Sequence, residues 1–180
     1  FDEDRSFTPT DDKTLDRVAE KALSIKSGEI IKGICHGTRN GFEQNYLTSN
    51  FERIHAIGTD ISESAQEFPL SFVWDFHERK AEWVNSFDFV YSNSLDQAWN
   101  PKKAITSWLE QINSSGTVII ELTVNHGPEG ASVMDPFGVR PIAFPYVLSD
   151  WFGDELKLSH SVEKKSNMDL EAWLFFISKV

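Results

Sequence analysis

Apolar and polar positions along this chain switch between two periods. Leu15, Val18, Ala19, Ala22 and Leu23 recur at three- and four-residue spacing, which predicts a helix from about Asp11 to Ser27 with Gly28 as its C-cap. The run Ile30-Ile31-Lys32-Gly33-Ile34 then reads as a short strand that stops in the glycines Gly37 and Gly41, where a second helix toward Asn50 can begin. Four further apolar runs have strand length: Ile54–Asp60, Ser71–Trp74, Phe87–Tyr91 and Thr117–Leu122. Ahead of the last lies a well-marked helix, with Asn100 as N-cap, Pro101 at the first helical position, and Ala104, Ile105, Trp108, Leu109 and Ile112 on one face.

From Asn125 to Pro145 the periodicity is lost among Gly127, Pro128, Gly130, Pro136, Gly138, Pro141 and Pro145. A loop of this length in a compact domain predicts a lid. A short helix around Tyr146 to Phe152 follows, and then two strands, about Glu155–Lys164 and Leu170–Val180, separated by Ser166-Asn167. With no helix between them, these two strands must pair antiparallel.

Composition bounds the function. A chain of 180 residues, 40% hydrophobic and 13% aromatic, builds one substantial core and is too short for a second, separate substrate domain. The expected division is a polar lead-in or linker over 1–10 and one domain over 11–180. Seventeen basic against 28 acidic residues give a net charge of −11 with no Lys/Arg cluster, which argues against a nucleic-acid partner. No apolar run reaches the roughly 20 residues needed to span a bilayer, so no membrane is expected. A single cysteine excludes an internal disulfide framework and a Cys-x-x-Cys zinc pair, and it favours a cytoplasmic location. The first residue is Phe rather than Met, which reads as a chain cut or trimmed from something longer.

The chemistry gathers where strands end. Asp60 closes the second strand about 20 residues after the glycine turn, the offset of an acid that hydrogen-bonds a ribose hydroxyl. Asp75-Phe76-His77 ends the third strand and Ser92-Asn93-Ser94-Leu95-Asp96 the fourth. Open α/β sheets bind ligands at these carboxyl ends.

In this order of pieces the chain resembles the class I S-adenosylmethionine-dependent methyltransferases, from about Ile30 to Val180. The passage Asn100 to Ile112, Ser114-Ser115-Gly116 and Thr117 to Leu122 looks like the family's helix, small-residue turn and fifth strand. Cys35, Gly37, Arg39 and Gly41 match a subset whose first loop reads Cys-x-Gly-x-Arg-x-Gly. The resemblance implies a Rossmann-like three-layer α/β sandwich, its seven-stranded sheet mostly parallel with an antiparallel last strand, and S-adenosyl-L-methionine as cofactor. It implies cofactor contacts from Cys35, His36, Gly37, Thr38, Arg39 and Gly41 in the first turn, and from Asp60 and Ile61 at the ribose. Asp75 and Phe76 would border the adenine, and Asn93, Ser94 and Leu95 the methionyl part. One departure stands out. The family's usual acid near the end of the first strand is replaced by Gly33, and Asn93 and Glu43 are the candidates to stand in for it.

Methyl transfer from a sulfonium is a one-step displacement that alignment and water exclusion can largely catalyse, and an oxygen acceptor adds the need for a base. Asp96 and His126 are the base candidates, with an acid that caps the next helix and a hydrogen-bonded loop histidine as the plainer readings. Cys35 reads as a small buried residue rather than a nucleophile. Trp99 is a candidate wall of the acceptor site. By elimination the acceptor is a small molecule or carbohydrate. Two alternatives remain: a catalytically silent methyltransferase-fold domain that binds or scaffolds within a larger protein, and an NAD(P)-dependent Rossmann oxidoreductase. The second lacks its Gly-x-Gly-x-x-Gly spacing.

Overall fold

The computed structural model describes residues 10–180; residues 1–9 of the expected lead-in lie outside the described residues. Seven strands form one sheet: β1 (Ile31–His36), β2 (Ile54–Asp60), β3 (Ser71–Val73), β4 (Phe87–Ser92), β5 (Ile112–Leu122), β6 (Leu156–Lys164) and β7 (Glu171–Lys179). Their order is β3-β2-β1-β4-β5-β7-β6. The first five run parallel. β7 lies between β5 and β6 and is antiparallel to both. Among the described residues the last strand is thus the only antiparallel one, as expected, and it sits inside the sheet rather than at its edge.

Four α-helices cover the two faces. α1 (Asp12–Leu23) and α2 (Phe42–Asn50) pack on one side, where Leu15, Val18, Leu47, Phe89 and Ile119 form a core. α3 (Pro101–Gln111) and α4 (Phe144–Phe152) pack on the other with Ile105, Trp108, Phe144 and Phe175. Trp108 is wholly buried. At about 25 cal/mol per Å² over roughly 200 Å², its burial is worth about 5 kcal/mol.

Local chemistry explains where the elements begin and end. Asn100 caps α3 by accepting from the Lys103 N–H, with Pro101 in the first turn. α1 stops at Leu23, earlier than the predicted Ser27, because the Ser24 hydroxyl donates to the Lys21 carbonyl at 2.6 Å and closes the last turn. Gly28, at φ +73°, turns the chain into β1 instead of capping the helix. β5 starts directly out of α3, so the predicted small-residue turn Ser114-Ser115-Gly116 lies within the strand, at a register irregularity against β4. Both crossovers flanking β3 are single 3₁₀ turns, Glu63–Glu67 and Ala81–Trp83, rather than helices.

The segment expected to be a lid contains three short 3₁₀ turns, Val124–His126, Pro128–Gly130 and Pro141–Ala143. Its flank is fastened down: the Phe137 N–H donates to the Asp96 carbonyl, the Val139 N–H to the His126 carbonyl, and Phe137 packs on Trp151. Its tip, Val133 and Met134, is the most exposed part, and Val124 and Ile142 at its two ends are open to solvent as well. At the start of the described chain, Thr10 and Asp11 are buried, and Asp11 caps α1 while its other oxygen accepts from Ser166 beyond β6. Among the described residues no helix is long and apolar enough to cross a membrane.

Candidate functional site

The turn after β1 is built on its own backbone. The N–H groups of Gly37 and Thr38 both donate to the Thr59 carbonyl on β2, at 2.8 and 3.0 Å. Gly37 and Gly41 adopt φ +73°, and Arg39 enters the left-handed region at φ +44°, where a glycine would be less strained. The Arg39 N–H is held by an Asp60 carboxylate oxygen at 2.9 Å, and the other Asp60 oxygen accepts the Ser62 N–H at 2.9 Å. Asp60 therefore shapes the turn and caps the segment that follows it. A Cβ on Gly37 would lie 2.6 Å from the Ser94 Cβ, so bare backbone is required where the β1 turn meets the β4 loop. The Ser94 hydroxyl donates to the Gly37 carbonyl across that junction.

Beside this turn a cleft of about 110 Å³ is lined by Gly37, Asp60, Ile61, Trp74, Asp75, Phe76, His77, Gln97 and Trp99. It brings together five of the residues expected at a nucleoside: Gly37, Asp60, Ile61, Asp75 and Phe76. The Asn100 N–H donates to His77 Nε2, so the ring proton sits on Nδ1 and is donated to Asp75 at 2.6 Å. Burial raises the Asp75 pKa, but hydrogen bonds from the His77 backbone and ring outweigh it and hold the carboxyl below its ordinary value. Trp99 tilts over the His77 ring at 4.6 Å with most of its surface open. It lines the same cleft as Asp60 and Asp75. Gln97 carried no sequence signal of its own.

Cys35, His36 and Leu95 line neither this cleft nor the one between β4, β5 and the β6–β7 hairpin. Cys35 packs into the α1/α2 core, where burial foremost, and Glu43 in addition, push its thiol well above the usual value. Its side chain is inert. The His36 ring enters the opposite core: Nδ1 pairs with Thr59 at 2.7 Å, Nε2 with Gln111 at 2.8 Å, and the ring stacks on Trp108 at 5.4 Å. Burial lowers its pKa to about 4, the Gln111 bond acting in the other sense. Leu95 is core. Thr38 is buried and serves the turn through its backbone.

A second cleft, about 190 Å³, opens between the ends of β4 and β5 and the β6–β7 hairpin, lined by Asn93, Glu121, Thr123, Asn125, His126, Lys165, Met168 and Leu170. Under it Glu121 forms a buried ion pair with Lys165 and accepts from the hydroxyls of Tyr91 and Thr10. Next to Asn93 lies Glu43 of α2, whose Oε1 is 3.4 Å from the Asn93 amide nitrogen and whose Oε2 is buried with no partner among the described residues. Burial raises the Glu43 carboxyl to about 8, Glu121 and Asp60 adding to the effect. At the mouth, His126 Nε2 stands 3.9 Å from Asp96 Oδ2. The Thr123 N–H occupies His126 Nδ1, so the neutral ring presents Nε2–H to Asp96. Asp96 Oδ1 is buried and has no partner among the described residues, and burial raises the carboxyl pKa despite the opposing attraction of His126. The two candidate bases are thus neighbours, although 30 residues separate them in sequence. Asp96 does not cap α3; Asn100 does.

The position where an acid is missing has a physical explanation. Gly33 faces Phe89 across β1 and β4, and a Cβ there would fall 2.1 to 2.7 Å from three atoms of the Phe89 ring. The ring fills the space a side chain would need.

No family model matches the sequence, and no curated protein matches it significantly. Solved structures do match. The CurJ carbon methyltransferase superposes with a TM-score of 0.63 at 13% identity over 93% of this chain and 54% of its own. This chain therefore spans about half the length of that protein. A Burkholderia thailandensis 1,6-didemethyltoxoflavin-N1-methyltransferase, solved with bound 1,6-didemethyltoxoflavin and S-adenosylhomocysteine, gives 0.63 at 15% identity over 94% and 80%. The plantazolicin methyltransferase BpumL, also bound to S-adenosylhomocysteine, gives 0.71 at 8% identity over 93% and 84%. At such identities the likeness establishes the fold: a seven-stranded Rossmann-like sandwich of the kind found in S-adenosylmethionine-dependent methyltransferases.

Proposed function

We propose that this chain is an S-adenosylmethionine-dependent methyltransferase domain acting on a small molecule or a sugar. The observation that carries the reading is the cleft at the carboxyl ends of the first three strands, where the bare backbone of Gly37 and the carboxylates of Asp60 and Asp75 share one wall. These residues fit the cofactor: Asp60 for the ribose hydroxyls, Asp75 for the exocyclic amine, Phe76 and Trp99 beside the base, and Asn93 and Ser94 toward the methionyl end. When bound, the cofactor supplies a methyl group on a positively charged sulfur.

The chain's own contribution is alignment, water exclusion and proton removal. Asp96, raised by burial and facing His126, is suited to take a proton from an oxygen acceptor, and the Thr123 N–H on Nδ1 keeps His126 aimed at it. The net charge of −11 supports a small acceptor over a nucleic acid. A cytoplasmic location goes with this reading. The antiparallel β7 and the methyltransferase neighbours favour it over the nicotinamide alternative.

A titration with S-adenosylhomocysteine tests it: saturable heat and a rise in melting temperature are expected, and neither at millimolar ligand overturns the reading. The Phe89 ring over Gly33 favours a second reading, a domain that binds the cofactor without turning it over. Binding with no methyl transfer across a broad panel of small acceptors would select it.

A further inference from the structure

Glu43 is a carboxyl that folding has left half satisfied. It projects from the first turn of α2, beside the glycine turn, and only its Oε1 meets a partner, Asn93 at 3.4 Å. Oε2 is equally buried and bonded to nothing among the described residues. Such a group costs free energy unless the site uses it. Among the described residues no basic side chain pairs with it. The ionisable groups around it are Cys35 from β1, Asp60 from β2, Tyr91 from β4 and Glu121 from β5, acids in every case. Lys165, the nearest base in the cluster, is committed to Glu121. The carboxyl therefore sits in a pocket of acidic potential, next to Asn93, which lines the second cleft, and close to the turn that borders the first. A positive group entering between the two clefts would meet an acid with one free oxygen.

We propose that Glu43 receives the primary ammonium group of the bound cofactor, in place of the acid that Phe89 excludes from position 33, and that it releases a proton to solvent as the ligand docks. The inference rests on the cofactor reading above. In the empty site the carboxyl is protonated at neutral pH, consistent with its rise to about 8. The incoming ammonium keeps its own charge and stabilises the carboxylate, so the O–H bond of Glu43 is the one that breaks. Binding is then coupled to pH. Below about pH 8, affinity rises as much as tenfold per pH unit, because each binding event must expel one proton.

Isothermal titration of S-adenosylhomocysteine in two buffers of different ionisation enthalpy, at roughly pH 7, reads the proton directly. Release of close to one proton per ligand is expected. Glu43→Gln should abolish the release, flatten the pH dependence and weaken binding about tenfold or more at pH 8. The probe 5′-methylthioadenosine, which lacks the amino-acid part, should bind both proteins alike with no proton release. On the native protein, the Glu43 side-chain carboxyl carbon followed by NMR should titrate at a lower pH once S-adenosylhomocysteine is present. Binding of S-adenosylhomocysteine with no proton released, or with release unchanged in Glu43→Gln, overturns the assignment and leaves the cofactor reading standing. If neither ligand binds, both fall.

Discussion

His36 makes the stability of this domain acid-sensitive, by an amount the structure specifies. Its ring is enclosed by Thr59, Gln111 and the face of Trp108, and it folds as the neutral imidazole with a pKa lowered from 6.5 to about 4, chiefly by burial. Above pH 6.5 the ring is neutral in both folded and unfolded chains, and its contribution is fully present. As pH falls toward 4 the unfolded chain takes up a proton that the folded chain refuses, so stability is lost. A gap of about 2.5 units at 1.36 kcal/mol each amounts to about 3 kcal/mol. The perturbation is His36→Gln, which cannot titrate, and the assay is urea unfolding of both proteins at half-unit steps from pH 7 to 4. The two proteins differ by a constant from the lost stacking, which does not affect the test. Wild type should lose about 3 kcal/mol relative to the variant across the window, while all other groups cancel in the difference. Parallel curves would refute the argument, because the proton would then be binding His36 as readily in the fold as out of it.

Other substitutions follow from the same geometry. Gly33→Ala drives a methyl into the Phe89 ring and should cost about 1–3 kcal/mol in thermal or urea unfolding, with Phe89→Leu in the same chain recovering part of the loss. Lys165→Met strips Glu121 of its buried cation and should destabilise by about 3–5 kcal/mol; a change under 1 kcal/mol would mean that Tyr91 and Thr10 suffice to hold the charge. Asp96→Asn should leave the melting temperature within a few degrees and S-adenosylhomocysteine binding unchanged, while transfer to an oxygen acceptor falls about 100-fold or more; full activity in the variant would remove Asp96 as the base.

How far the site could be read from the chain depends on how local each part is. β2 spans the predicted Ile54–Asp60, and Asn100 and Pro101 open α3 where expected, because strand period and cap chemistry act over a few residues. The cleft of Gly37, Asp60, Asp75 and Phe76 was legible for a related reason: a parallel sheet brings the carboxyl ends of its strands to one rim. What was not legible depends on distant partners. Thr10 reaches Glu121 across 111 residues, and nothing around Glu121 in sequence separates it from an ordinary strand acid. The inward burial of Cys35 and His36 on opposite faces follows from strand alternation, yet the turn they belong to drew attention to ligand contact instead. Trp99 folds its ring back on His77, a contact across 22 positions that its neighbours in sequence do not announce.

The place of β7 sets a timetable for assembly. Ile119, Ile120 and Leu122 of β5 are wholly or almost wholly buried, and β7 is the strand that closes that side. Until Glu171 to Lys179 have left the ribosome, β5 is an open, apolar sheet edge with nothing to pair with. A chain cut shortly before residue 171 therefore exposes a sticky edge instead of forming a smaller working domain.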